Sequence, residues 1–193
     1  MRDLIAALAV SSGLALLSAC AATPVDAPAF GTDPIGRAAQ ALVAGAQAED
    51  ANDADALRVA AGVLEGLGAH PAVGEADLAS VWASRAEALG AEPVPPRGRT
   101  AGPAYRDGLL SGGDRAAFTD TFHSGRAAIV SLAPRGAGAF VLWVRDEAGT
   151  EICRQVAESG PAECRWTPVW TAPVRIEVAN LSGAPARYFL LTN

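Results

Sequence analysis

No lysine occurs in the 193 residues, so all fifteen basic side chains are arginine, and histidine is confined to His70 and His123. The arginine bias has the footprint of GC-rich coding and carries no binding signature. Two histidines and no close cysteine pair supply too few ligands for a zinc site, so neither a metal nor another cofactor is expected. A C-x-x-C spacing is missing, which excludes a thiol redox pair. So is the G-x-S-x-G elbow of a hydrolase, since Ser111 follows Leu110 without the leading glycine. There is no match to a 34-residue helical repeat, and no apolar run reaches the ~18 residues that mark a membrane-spanning helix.

What remains is a chain that is 50% hydrophobic and 19% charged, the balance of a globular protein. Its length allows one ordinary domain, or a small domain with a helical piece attached. The net charge of -6 is unevenly spread. Residues 20–92 hold eleven acids and three arginines, whereas residues 93–193 hold nine acids and eleven arginines. An acidic half disfavours nucleic acid, whose affinity comes from neutralising phosphates with clustered cations.

The first twenty residues are the most informative. A short start with one arginine, Met1-Arg2-Asp3, leads into an apolar run over residues 4–17, broken only by Ser11, Ser12 and Gly13. Fourteen residues of helix rise about 21 Å, short of a hydrocarbon core of about 30 Å. This is the pattern of a secretory signal over residues 1–19. The run closes on Leu17-Ser18-Ala19-Cys20, which resembles the lipobox of bacterial lipoproteins. That resemblance implies a diacylglycerol on the Cys20 thiol, cleavage before it, and membrane attachment made stable by two or three acyl chains. Ala21 stands where an Asp often signals inner-membrane retention in that family, so the resemblance implies the outer membrane, facing the periplasm. Ordinary cleavage after Ala21 or Ala22, or an uncut anchor, would export the chain all the same.

Once Cys20 is acylated or removed, Cys153 and Cys164 remain in an oxidising compartment and are expected to form a disulfide. Between them Glu158-Ser159-Gly160-Pro161 reads as a turn, so the bridge is expected to staple a hairpin. Closing a loop of about a dozen residues stabilises by roughly 3 kcal/mol in the chain-entropy model.

Along the mature chain, residues 20–33 form a lipidated end and an Ala/Pro/Thr tether, able to reach about 40 Å when extended. A helical segment follows over 34–92. Asp33 is an N-cap and Pro34 the first helical position, and Ile35, Ala38, Ala39, Leu42, Val43 and Ala46 share one face. A second helix carries Leu57, Ala60, Ala61, Leu64 and Leu67. A third runs from about Glu75 with Leu78, Val81, Trp82 and Leu89, and stops at Gly90. These helices are expected to pack on one another; whether they also pack on the β half is left open.

A Pro/Gly-rich linker over 93–102 separates them from a β-sandwich over 103–193, the whole making an α+β fold. Alternation over 118–122, 127–132, 139–144, 151–156, 164–166, 174–178 and 188–192 predicts about seven strands, with turns at Ser124-Gly125, Pro134-Arg135-Gly136 and Asp146-Glu147-Ala148-Gly149 among others. Phe140, Leu142 and Val144 share one face and Val141 and Trp143 the other, so that strand is expected to be buried on both.

Gly108-Leu109, Ser111-Gly112-Gly113, residues 118–122, Ser124-Gly125, residues 127–132 and 141–144 with Asp146 and Gly149, then residues 174–178 and 188–190, together resemble a bacterial pre-peptidase C-terminal domain. The resemblance covers about residues 103–193. It implies a non-catalytic β-sandwich of the sort appended to secreted proteins for binding. The family's Asp-rich approach to the third strand is replaced here by Arg135-Gly136-Ala137-Gly138-Ala139, so no calcium ligand is carried over.

Asp120, His123 and Ser124 hold the residue types of a hydrolase triad, but adjacent strand residues point to opposite faces, which separates His123 from Ser124. The pairs Asp146/Glu147 and Asp53/Asp55 fall in a turn and a helix start, where acids serve the backbone. His70, before Pro71, lies in a loop between helices. Trp143, Trp166 and Trp170 lie in the β half, and buried Trp fills core while exposed Trp can stack sugar rings; Trp166 and Trp170, around Thr167-Pro168, are the candidate ligand contacts. The sequence thus reads as a non-enzymatic envelope lipoprotein that binds another envelope component, or alternatively a carbohydrate or peptidoglycan.

Overall fold

The computed structural model describes residues 30–93, 102–158 and 160–193. The signal segment, Cys20, the tether to residue 29, and residues 94–101 of the linker lie outside the described residues. Among those that are described, no helix is long and apolar enough to cross a membrane.

Three helices form where the periodicity places them: α1 (Pro34–Ala51), α2 (Ala54–Leu67) and α3 (Leu78–Ala88). Each starts on an aspartate whose carboxylate accepts an orphan backbone N–H of the first turn. Asp33 accepts from Gly36 at 2.8 Å, Asp53 from Ala56 at 3.0 Å and Asp77 from Ser80 at 3.4 Å. Asp53 is thus a cap, and α3 begins at Leu78 rather than near Glu75 because Asp77 is the residue that caps it. Asn52 and Gly68 end α1 and α2 in the left-handed conformation. The helices cross closely: a Cβ on Gly45 of α1 would lie 2.2 Å from the indole of Trp82, a fully buried side chain of α3.

Nine strands occur among the described residues, against about seven expected. All seven are present, as β3 (Arg115–Phe122), β4 (Ala128–Arg135), β5 (Phe140–Arg145), β6 (Glu151–Ala157), β7 (Ala162–Trp166), β8 (Ala172–Asn180) and β9 (Ala186–Thr192). The additional ones are β1 (His70–Pro71) and β2 (Ala104–Leu110). Strand β2 is hidden in the sequence because Arg106, Asp107 and Gly108 interrupt its apolar alternation. Strand β4 continues through Pro134, placed in a turn by its sequence, because by that point its only neighbour is β9 and a proline at such an edge position is tolerated.

The strands form a five-stranded sheet in the order β1-β2-β9-β4-β7 and a four-stranded sheet in the order β3-β8-β5-β6. Among the described residues, only the β1–β2 pair is parallel. Val130, Leu132, Tyr188 and Leu190 of the first sheet meet Phe140, Leu142, Ile176 and Val178 of the second in one core. The opposite face of the same five-stranded sheet, Tyr105, Ile129, Ala133, Phe189 and Leu191, shares a core with the three helices. The layers therefore run helices, five-stranded sheet, four-stranded sheet.

Polar contacts hold the helical layer in register. The Tyr105 hydroxyl accepts the Leu78 N–H at 2.8 Å and donates to the Ala76 carbonyl at 3.3 Å, joining β2 to the start of α3. At one end of α1, Arg135 of β4 meets Glu49 at 3.4 Å and Asp50 at 3.6 Å. At the other end, Arg165 of β7 binds Asp33. Burial pushes the Asp33 carboxyl up, but the Gly36 N–H and the Arg165 guanidinium outweigh that and hold it below its usual value of 3.8.

Gly45→Ala is expected to lower stability by about 1–3 kcal/mol, the usual cost of overpacking, read as a shift in the urea midpoint with loss of native Trp82 fluorescence. Because the Asp33 pKa is depressed on folding, its contribution is present above pH 3.8 and is lost as pH falls through and below that value. Arg165→Ala should therefore destabilise the protein at pH 6 by more than at pH 3, when urea midpoints are compared at the two pH values.

Candidate functional site

The two lateral edges of the sandwich differ. At one, a disulfide joins Cys153 of β6 to Cys164 of β7, with 5.8 Å between Cα atoms. Those strands are the edges of different sheets, so the bridge ties sheet to sheet and does not staple a hairpin as expected. The ten residues between the two cysteines are enough to carry the chain across from one layer to the other.

At the opposite edge, no disulfide or strand pairing links β2 to β3, and a cleft of about 240 Å³ opens between the sheets. Its floor is apolar: Ile176 and Leu190 are buried, and Phe118 is half-buried. Arg106 of β2 lies over the Phe118 ring, its guanidinium carbon 4.9 Å from the centroid. On the other wall, the Asp120 carboxylate accepts the Thr192 hydroxyl at 2.9 Å and the Thr121 N–H at 3.1 Å. His70 stands at the rim, with Nδ1 3.4 Å from the Gly68 carbonyl.

This placement takes Asp120 away from the other members of the triad considered in the sequence. Asp120 lies in the inward-facing row of β3, whereas His123 and Ser124 are exposed beyond its end. The Ser124 N–H donates to the Thr171 hydroxyl at 3.0 Å, so Ser124 belongs to a loop contact. Asp146 likewise closes its turn, accepting the Thr150 N–H at 2.7 Å. Among the described residues, no three His, Cys, Asp or Glu side chains converge to hold a metal.

The tryptophans part company. Trp166 sits edge-on to Phe122, centroids 4.8 Å apart, and is half-buried. Trp170 is 79% exposed and its neighbour Val169 75% exposed. Their loop is held by the Gly125 N–H, which donates to the Pro168 carbonyl at 2.9 Å.

Trp143 provides the feature that sequence reasoning missed. It does not lie in a sealed core: it is half-buried on the outer face of the four-stranded sheet, among arginines from three strands. Arg115 (β3), Arg145 (β5) and Arg154 (β6) lie 5.5–5.6 Å from its ring, a distance at which cations favour the π face. Glu177 of β8 accepts from Arg145 at 2.6 Å and is 3.7 Å from Arg115 and 3.8 Å from Arg175. Glu151 pairs with Arg145 in the ladder at the rim. Four guanidiniums against two carboxylates leave the face positive. The signal for it was the polar half of the alternation, Trp143/Arg145 and Arg175/Glu177 at i, i+2, which puts each pair on one face.

No protein-family model and no curated protein matches this chain. Among solved structures, the pre-peptidase C-terminal domain of a collagenase from Bacillus anthracis aligns over 46% of this chain and 87% of its own, at 17% identity and a TM-score of 0.41. The Yersinia pseudotuberculosis-derived mitogen aligns over 47% of this chain and 84% of its own, at 15% identity and a TM-score of 0.39. A periplasmic inhibitor of g-type lysozyme from Aeromonas hydrophila aligns over the same shares, at 14% identity and a TM-score of 0.37.

Replacing Cys153 and Cys164 together by Ala should lower stability by roughly 3 kcal/mol. Because the bridge links sheets, amide exchange should rise in β6 and β7 together while β3–β8 keeps its protection; a rise limited to the turn between β6 and β7 would contradict this geometry.

Proposed function

We propose that the chain is exported, cut before Cys20, and held by lipid on that cysteine at the outer membrane, facing the periplasm. There it acts as a non-enzymatic binding module that docks an acidic protein surface of the envelope on the open face of its four-stranded sheet. The export half of this reading rests on residues 1–20, with the Cys153–Cys164 disulfide, which suits an oxidising compartment, as support.

The observation that carries the binding half is the arginine group around Trp143. A chain of net charge -6 concentrates four cations on the face farthest from its acidic helices. Complementary potentials steer association and reject partners of the wrong sign. Arginine and tryptophan are also the side chains most often found at the energetic centre of protein interfaces.

Trp170 favours a second reading, a glycan stacked on its exposed ring.

Mass spectrometry of the protein isolated from membranes should find an acylated Cys20 as the mature N-terminus; an unmodified chain that keeps Met1 would sink the anchoring. Crosslinking in envelopes should recover an acidic protein whose yield falls with added salt and is lost in Arg154→Glu/Arg175→Glu, at an unchanged melting temperature. Equal recovery by that variant excludes the arginine face. Retention on sedimented peptidoglycan that is lost in Trp170→Ala would establish the glycan reading in its place.

A further inference from the structure

The cleft at the open sandwich edge is separate from the arginine face and does not depend on how the chain is anchored. We infer that it binds a small zwitterion of amino-acid size, with the ligand carboxylate on Arg106 and the ligand ammonium on Asp120.

Size comes first. A volume of about 240 Å³ is room for about eight waters at ~30 Å³ each, and it falls below the ~300 Å³ at which drug-sized pockets begin. A molecule of about eight or nine heavy atoms fits this space.

Charge defines it further. Arg135, Arg165 and Arg187 each have a carboxylate within 4.0 Å, but Arg106 has none among the described residues, and its guanidinium is stacked on Phe118. Asp120 has no cationic partner among the described residues; its hydrogen bonds come from the Thr192 hydroxyl and the Thr121 N–H. Half-burying a charge without its opposite is costly, and here two opposite charges on facing walls stay more than 4.0 Å apart rather than collapsing onto each other. A ligand carrying both charges satisfies both walls at once.

Geometry agrees. Stacking on Phe118 holds the guanidinium plane in place, which suits a two-pronged grip on a carboxylate. The Thr192 hydroxyl already donates to Asp120, which fixes the carboxylate's orientation and leaves acceptor capacity for an ammonium. Between the two charges, Ile176 and Leu190 offer an apolar floor for a short hydrocarbon side chain.

Valine, with eight heavy atoms, is the probe, used as both enantiomers with the full chain in isothermal titration and in NMR of the Asp120 and Thr192 amides. One enantiomer is expected to bind saturably. Valinamide, which lacks the carboxylate, and 3-methylbutanoate, which lacks the ammonium, should bind about tenfold or more weaker, as the loss of a charge-assisted hydrogen bond implies. Arg106→Ala should abolish binding, and Asp120→Asn should bind valine and 3-methylbutanoate alike. The analogue series is read on the unaltered protein, so the test survives a variant that folds poorly. No saturable shift with either enantiomer, or equal binding of valine and valinamide, would overturn the proposal.

Discussion

Strands β4 and β9 are apolar on both faces, and the architecture is what it takes to cover them twice. In β9, Tyr188 and Leu190 point to one side and Phe189 and Leu191 to the other, and all four are buried. A sheet with two greasy faces cannot leave either in water. The second sheet takes one face and the helices take the other. These helices are rich in alanine, so their backbones come close, as Gly45 and Trp82 do, and the layer stays thin enough for Tyr105 to reach α3 and Arg135 to reach α1.

Among the described residues, that solution leaves the outer face of the four-stranded sheet toward solvent, and it decides where charge can go. The acids of the helical segment lie on one side of the molecule and the arginines around Trp143 on the other, with two hydrophobic layers between. The edges divide in the same way. The disulfide closes the edge where β6 and β7 face each other, whereas β2 and β3, which have no such link, leave a cleft with Arg106 and Asp120 on its walls. Both the face and the cleft are consequences of how layers are closed, and neither needs a contiguous sequence motif.

Much of the fold was legible because its signals are local. Asp33 and Asp53 announce helix starts through short side-chain-to-backbone bonds, and alternation marks seven strands, whereas Asp77 was hidden because Glu75, two residues earlier, is as good a start by composition. Strand β2 escaped because Arg106, Asp107 and Gly108 serve three distant partners: Phe118 across the cleft, Arg187 on β9, and the ring of Tyr188, which lies where a side chain at Gly108 would be. A cue to the helical cover was present in the near-continuous apolar runs of residues 128–133 and 188–191, which fit strands buried on both faces. The same inference drawn for β5 held only in part, since Val141 is buried while Trp143 is covered by arginines instead of by a layer.

By itself the sequence determined the export pattern of its first twenty residues as an expectation, the three helices, most strands and the pairing of Cys153 with Cys164, because each depends on residues close together or on simple elimination. Tertiary structure alone decided that the bridge joins two sheets, that the helices cover one of them, and that Arg115, Arg145 and Arg154 gather around one tryptophan, with Arg175 tied in through Glu177. The physical reason is that strand order and layer closure are set by burying both faces of the central sheet at once, a condition on the whole chain that no local window of residues expresses.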